Sequence, residues 1–419
     1  MPYPSFPRWF AALWPSRRRQ PGGPAPHTTD HHPHTTTTTR SRSTRALVRG
    51  LVPAALVLLL SGTPLATPQA SAAAAPICLS GALAFDHRDA EAGTAKPWIT
   101  SPARNANWEL WGQTSPGAAS RLLASGLTGV DGGTFNACYQ ATGSLPELHM
   151  KFLSASTQTW RVIPDRRSAT PYSFTTASLT GVATSRDLGT VKVPSSIQGA
   201  WNVEDTLNLL YWKRGNPDSG CWTSHQANGA CDQLTVVWDP GASDGGYWDY
   251  GNTNYVILAG DMPDSHHLVL HEAGHWLQWQ LYNHWFPRVT NCNPHYINRS
   301  SSTTCAWTEG FADAVAAYVL GDYRFVYPDG TSYSFSNGRS TPGWDAGDTV
   351  QGRVGSSLLD LWAANGPDGG NWDRTIRLMT YNASTDFREY FMADRPTASP
   401  PLSTAGAARS IIFSHTIDY

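Results

Sequence analysis

Two histidines four residues apart flank a glutamate in His271-Glu272-Ala273-Gly274-His275. On a helix, positions i and i+4 project from one face, so both imidazoles can meet one metal ion. Glu272 lies beside them and can take a proton from a water held by that ion. The chemistry this pattern suits is metal-assisted hydrolysis. A second acidic pair follows in Ala306-Trp307-Thr308-Glu309-Gly310-Phe311-Ala312-Asp313-Ala314. On a helix, Glu309 and Asp313 share a face. Glu309 can add a carboxylate to the two imidazoles. Asp313 is then placed to accept a hydrogen bond from the outer nitrogen of a ligand imidazole, most directly that of His271. Such a bond fixes the tautomer and raises the basicity of the ring.

These residues need elements to hold them. Pro263, Asp264 and Ser265 supply helix-start signals ahead of the first histidine. Leu268, Leu270, Trp276, Leu277, Trp279 and Leu281 give that helix apolar surface nearly all round, as a buried central helix requires. Ala312, Val315, Ala316 and Val319 offer small and apolar contacts for close packing of the second helix. Upstream, Ala200 to Tyr211 reads as an amphipathic helix, and Leu234 to Trp238 and Tyr255 to Ala259 read as strands. Downstream, Asp348 to Trp362 reads as a further helix. The region from Ile77 to about Val193 differs. Leu79 to Phe85, Asn107 to Trp111, Phe135 to Tyr139, Glu147 to Leu153 and Trp160 to Ile163 are short strands separated by turn residues, the pattern of a β-sandwich of roughly 110 residues.

The metal-binding class turns on the third ligand. Metzincins continue the first motif to a Gly and a third His, where this chain has Gln278 and Leu281, which excludes that class. The pairing of His271-Glu272-x-x-His275 with Glu309-Gly310-x-Ala312-Asp313 closely resembles the gluzincin metallopeptidases, of which thermolysin is the familiar member. The resemblance implies one catalytic zinc held by His271, His275 and Glu309, with Glu272 as general base and Asp313 supporting a ligand. It implies a secreted zinc endopeptidase acting on a protein or peptide. It also implies that the strand Tyr255 to Ala259 borders the cleft and pairs with substrate backbone. Thermolysin-like enzymes add a His and a Tyr that steady the developing oxyanion. Here His415 is the only His after His295, Tyr296 and Tyr318 are among the tyrosines available, and His284 and His295 read as surface residues of a long insert over residues 283–305. In the aspzincins, the nearest competing class, Asp313 would replace Glu309 as ligand.

Trp108-Glu109-Leu110-Trp111, Leu122-Leu123-Ala124-Ser125-Gly126 and Thr128-Gly129-Val130-Asp131-Gly132-Gly133-Thr134-Phe135 resemble the transthyretin-like (prealbumin-like) modules of secreted bacterial proteins. The fold class expected is therefore multidomain α+β. Residues 1–72 form a leader, 76–195 a transthyretin-like β-sandwich, and 196–419 an α-rich zincin-type metallopeptidase domain.

Arg40, Arg42, Arg45 and Arg49 precede the apolar run Leu51 to Leu60, and Ala70-Ser71-Ala72 follows, which is the layout of a secretory signal peptide. The run is too short to span a bilayer, so no stable membrane anchor is expected. All six cysteines lie after it: Cys78, Cys138, Cys221, Cys231, Cys292 and Cys305. An even count in an exported chain reads as disulfides, with 15 pairings open. The local pairs Cys221–Cys231 and Cys292–Cys305 are the simplest, leaving Cys78–Cys138. Residues 1–72 carry eight Arg and one Asp, whereas the remainder carries 22 basic and 31 acidic residues. So acidic a mature chain does not suit nucleic-acid binding. Asp239, Asp244 and Asp249 match no calcium loop and read as a solvated turn; calcium is not indicated. The rival function is a secreted carbohydrate- or cell-wall-binding (adhesion) protein with an inactive metallopeptidase fold. It would use Trp276, Trp279, Trp285 and Trp307 to stack on sugars.

Overall fold

Alternating buried and exposed side chains build the first half. The computed structural model describes residues 75–419, apart from residues 158, 216 and 218; the leader and its cleavage site lie outside the described residues. Strands β1 (Ile77–Arg88), β2 (Trp98–Pro102), β3 (Asn107–Gln113), β4 (Arg121–Leu127), β5 (Thr134–Tyr139) and β6 (Leu145–Leu153) come first. In β3 every second residue is buried, from Trp108 through Leu110 to Gly112, as expected of a strand with one face on a core. Two short strands, β7 (Ala155–Ser156) and β8 (Trp160–Ile163), follow, and then β9 (Ser173–Thr175), β10 (Leu179–Val182) and β11 (Arg186–Lys192). β1 pairs with β11, β2 and β5 in one sheet, and a second sheet has the order β10-β6-β3-β4, with β9 also on β6. Phe85, Phe135, Leu110, Met150 and Phe152 join one hydrophobic cluster that continues into the helical half. Cys78 and Cys138 face each other across β1 and β5 and are disulfide-bonded.

β8 departs from the sequence reading. Trp160 to Ile163 does not join the first two sheets. It pairs in parallel with β12 (Leu234–Asp239), which pairs in parallel with β14 (Val256–Ala259). The five-stranded order is β13-β14-β12-β8-β7, with β13 (Tyr247–Trp248) antiparallel on the outside. The physical reason is visible in the side chains: Trp160, Val162 and Ile163 are all buried, so both faces of β8 are covered, as in a parallel sheet. The chain thus crosses into the helical half and returns before residue 195.

The helices are α1 (Gln198–Lys213), α2 (His266–Leu281), α3 (Thr303–Leu320), α4 (Gln351–Trp362), α5 (Asp373–Tyr381) and α6 (Ala407–Ser414), with a hairpin of β15 (Arg324–Val326) and β16 (Ser332–Ser334). The protein mixes sheets and helices as an α+β chain. α2, α3 and α4 pack side by side, and glycines set the spacing. A Cβ on Gly274 would lie 3.1 Å from Ala312 Cα, and one on Gly310 would lie 2.6 Å from the Gln351 carbonyl oxygen. Gly310 therefore admits no side chain without moving α4. An edge-to-face run of tryptophans (Trp160, Trp222, Trp276, with centroids 6.0 and 5.3 Å apart) fills the space between the third sheet and α2. Each such buried ring contributes on the order of 1.5–3 kcal/mol of apolar burial. The other two disulfides are Cys221–Cys231 and Cys292–Cys305.

Candidate metal centre

α2 begins where its sequence signals place it. Ser265 caps it, with Oγ accepting from the Leu268 N–H at 3.0 Å. Glu91, from the β half, accepts from the His267 backbone N–H at 3.1 Å and lies 3.0 Å from His267 Nδ1. Burial alone would raise the Glu91 carboxyl, but His267 and His266 outweigh it and hold the group below the ordinary carboxylate range. A carboxylate so held also suits the positive end of the helix. His266 and His267 are used here and face away from the metal-binding side.

α3 starts at Thr303, where Ser302 caps it by accepting from the Cys305 N–H at 3.1 Å. Against this frame His271 Nε2 lies 3.1 Å from Glu309 Oε2 and 3.2 Å from His275 Nε2, and His275 Nε2 lies 3.5 Å from Glu309 Oε2. Two imidazole nitrogens and a carboxylate oxygen thus form a nearly equilateral triangle. Ligand bonds of about 2.0–2.2 Å in a tetrahedral zinc site place the donors about 3.3–3.6 Å apart. The triangle fits one face of that tetrahedron.

On the far side of the His271 ring, Nδ1 lies 2.9 Å from Asp313 Oδ1. Asp313 is fully buried, and its Oδ2 accepts from Gln351 Nε2 of α4 at 3.1 Å. The Phe325 ring meets the His271 ring edge-on at 5.4 Å, and Phe286 stands 6.3 Å from the His275 ring. His271, Glu272, His275 and Glu309 are each less than a tenth exposed.

The electrostatics suit a cation. Burial would raise Glu309, but His295, His275 and His271 outweigh it and hold its carboxyl well below the usual range. Burial would depress His271, but Asp313 and Glu309 push it well above. The imidazole is held among anions that a divalent ion can satisfy in place of a proton. Glu272 is raised by burial, with His271 and His275 opposing. A raised carboxyl moves toward the range that a general base needs near neutral pH.

The structure brings together His271, Glu272, His275, Glu309 and Asp313. It separates several other residues from them. Val256–Ala259 is an inner strand, flanked by β13 and β12, so its edge is closed; the free edge on that side belongs to β13. His415 is buried between Asp360 and Asn337, and Tyr318 stacks on Trp372 at 4.6 Å, so each has a structural role. Trp276 and Trp307 are core residues, 2% and 0% exposed, so two of the four tryptophans offered for sugar stacking are out of reach of a ligand; Trp285 is exposed. Asp249 is buried and paired with Arg166 at 2.8 Å. His295, read from the sequence as a surface residue, is exposed, and its Nε2 lies 3.3 Å from Glu309 Oε2. Cys292, three residues before it, pairs with Cys305, one helical turn before Glu309.

The chain matches the mycolysin C-terminal domain over residues 215–416 and the mycolysin middle domain over residues 78–200. These matches indicate a mycolysin-like secreted metallopeptidase region and point to a hydrolase of the metalloprotease kind. No curated protein matches the chain. Among solved structures, a 9R-lipoxygenase from Cyanothece PCC8801 is similar at 16% identity with a TM-score of 0.19. That match takes in 33% of this chain and 23% of the lipoxygenase chain, and it carries no argument about fold or function.

Proposed function

Taking the chain as a mycolysin-like metallopeptidase region, we propose that it is a secreted zinc endopeptidase of the gluzincin type. His271, His275 and Glu309 hold the metal, and the observation that carries the reading is their triangle of donor atoms, 3.1–3.5 Å on a side. A zinc ion held there would supply Lewis acidity to the scissile carbonyl and to a water. Glu272 would take a proton from the attacking water and deliver it to the leaving amine. Asp313 keeps His271 in the tautomer whose Nε2 faces the metal, and Gln351 keeps Asp313 turned toward it. The aspzincin alternative fits less well, because Asp313 touches the opposite nitrogen of His271 from the one facing Glu309.

The substrate is a protein or peptide whose backbone adds to the free edge of β13 rather than to β14. The two N-terminal sheets form a transthyretin-like sandwich that carries no catalytic group. Three disulfides suit work outside the cell. Among the described residues, no helix is long and apolar enough to cross a membrane. The test is cleavage of casein by the purified protein, with and without a zinc chelator, beside Glu272→Ala. Chelator-sensitive cleavage that the variant lacks is expected. A folded, zinc-loaded protein that cleaves neither casein nor a peptide library would sink the reading in favour of a binding protein.

A further inference from the structure

The loop between α2 and α3 is tied down where it can reach the metal. Cys305, Glu309 and Asp313 stand at i, i+4 and i+8 of α3, so one stripe of the helix carries the disulfide anchor, the carboxylate of the triangle and the support for His271. Cys292, bound to Cys305, lies 3.8 Å from Glu309 Oε1 through its sulfur. Three residues on, His295 folds back so that its Nδ1 lies 2.8 Å from the Cys292 carbonyl oxygen. A carbonyl only accepts, so Nδ1 carries the hydrogen. In the neutral ring Nε2 then presents a lone pair. That atom is 3.3 Å from Glu309 Oε2, the same oxygen that faces His271 and His275.

A ring that donates one N–H to a backbone carbonyl and turns its other nitrogen toward an anionic donor set has the arrangement of a metal-ligand histidine. Two features distinguish His295 from the helical pair. Its side chain is 35% exposed, against 7% and 10% for His271 and His275. It also stands on the Glu309 side of the triangle, outside the set of three whose donor atoms lie within 4.8 Å of one another. Cys292 and Cys305 lie near it, but their sulfurs are bonded to each other and do not serve as ligands.

We propose that His295 is a displaceable fourth protein ligand: a metal held by His271, His275 and Glu309 would find its Nε2 beside the position that a water takes during turnover, so the ring would hold that position in the resting enzyme. The proposal rests on the zinc site of the preceding subsection. It assigns the disulfide a positioning task, holding the loop at the distance from which the ring can bind and leave.

The experiment compares the cobalt(II)-loaded exported protein with His295→Ala and His295→Gln, reading the visible d–d spectrum and the cobalt affinity by chelator competition. Both variants are expected to shift the spectrum and to weaken cobalt binding at least about tenfold. Added imidazole should restore the original spectrum in the alanine variant. Spectra and affinities equal to those of the parent protein would overturn the proposal. A fall in peptidase activity with an unchanged spectrum would also overturn it, by assigning the ring to substrate instead of metal. The underlying zinc reading fails separately: His271→Ala would then leave cobalt binding as it was.

Discussion

Helices α1 and α2 are both buried along most of their length, and both bury charge, yet they use it differently. α1 buries Asn202, Glu204, Asp205, Thr206 and Asn208. Asp205 takes the Arg104 guanidinium through two contacts, at 2.7 and 2.5 Å, and Asn208 accepts from Asn105. His266 Nε2 meets Asn202 Oδ1 at 3.0 Å. Asp205 and Asn208 thus join α1 to the β half, and Asn202 joins it to α2. α2 buries His271, Glu272 and His275, and leaves their reactive atoms facing one another and Glu309. Groups of like charge and burial thus serve cohesion on one helix and leave unmet coordination on the other. Buried polar groups mark function where their partners are an incomplete set of metal donors.

The difference predicts which substitutions cost activity and which cost stability. Replacing Glu272 by Gln should have the largest effect, lowering kcat by about 10²–10⁴ while zinc content and unfolding midpoint stay close to those of the parent. Loss of zinc from that variant would show instead that Glu272 helps to hold the metal. Asp205→Ala should do the reverse. It strands Arg104, and breaking a buried pair costs about 3–5 kcal/mol. With Arg104 a quarter exposed, about 2–3 kcal/mol is expected here. Urea unfolding reads that loss, and activity per folded molecule should not change. Asp313→Asn comes next, with zinc affinity lowered about 10–100-fold and little effect on folding. If it weakened folding as much as Asp205→Ala, Asp313 would belong with the cohesive groups of α1.

The grouping of the candidate site residues was legible because their geometry is local. His271, Glu272 and His275 occupy a little over one turn of a helix, and Glu309 and Asp313 another, so the helix period fixes who faces whom. The cap at Ser265 was legible for the same reason. What depended on distant closure was not. Trp160 to Ile163 is plainly a buried strand, but a run apolar on both faces does not say which sheet it joins. The cleft edge falls to the strand Tyr255 to Ala259 by the family resemblance alone, and nothing in Tyr247-Trp248 announces a covering strand two residues long. β2 and β4 show little alternation, so periodicity passes over them. The Cys292–Cys305 pair was legible as a simple local pairing, but spacing does not say that the loop it closes folds the His295 ring back toward Glu309.

The smallest expected effect is the most direct probe of the contrast between the two helices, because it concerns a carboxyl buried like Glu272 but without a site. Glu204 is fully buried on α1; its Oε1 accepts from Trp160 Nε1 at 3.3 Å, and its Oε2 is a buried atom without a hydrogen bond. Burial first, and then the neighbouring Asp205, push its carboxyl well above the ordinary range, against Trp160 and Arg104. The folded protein therefore keeps this proton to higher pH than the unfolded chain, which releases it near 4.5. Over that interval the folded state binds more protons, so stability is full below the unfolded value and falls as pH rises through the folded one. Glu204→Gln removes the ionisation and keeps an oxygen for Trp160. The variant should gain stability over the parent progressively as pH is raised from about 5 to about 8, with peptidase activity unchanged at either end. Thermal unfolding across that range is the measurement. Parallel curves for parent and variant would mean that the Glu204 carboxyl is no more strained than an exposed one. Lost activity would mean that the joint made by α1 also sets the geometry of the metal centre, and the division of labour between the two helices would not hold.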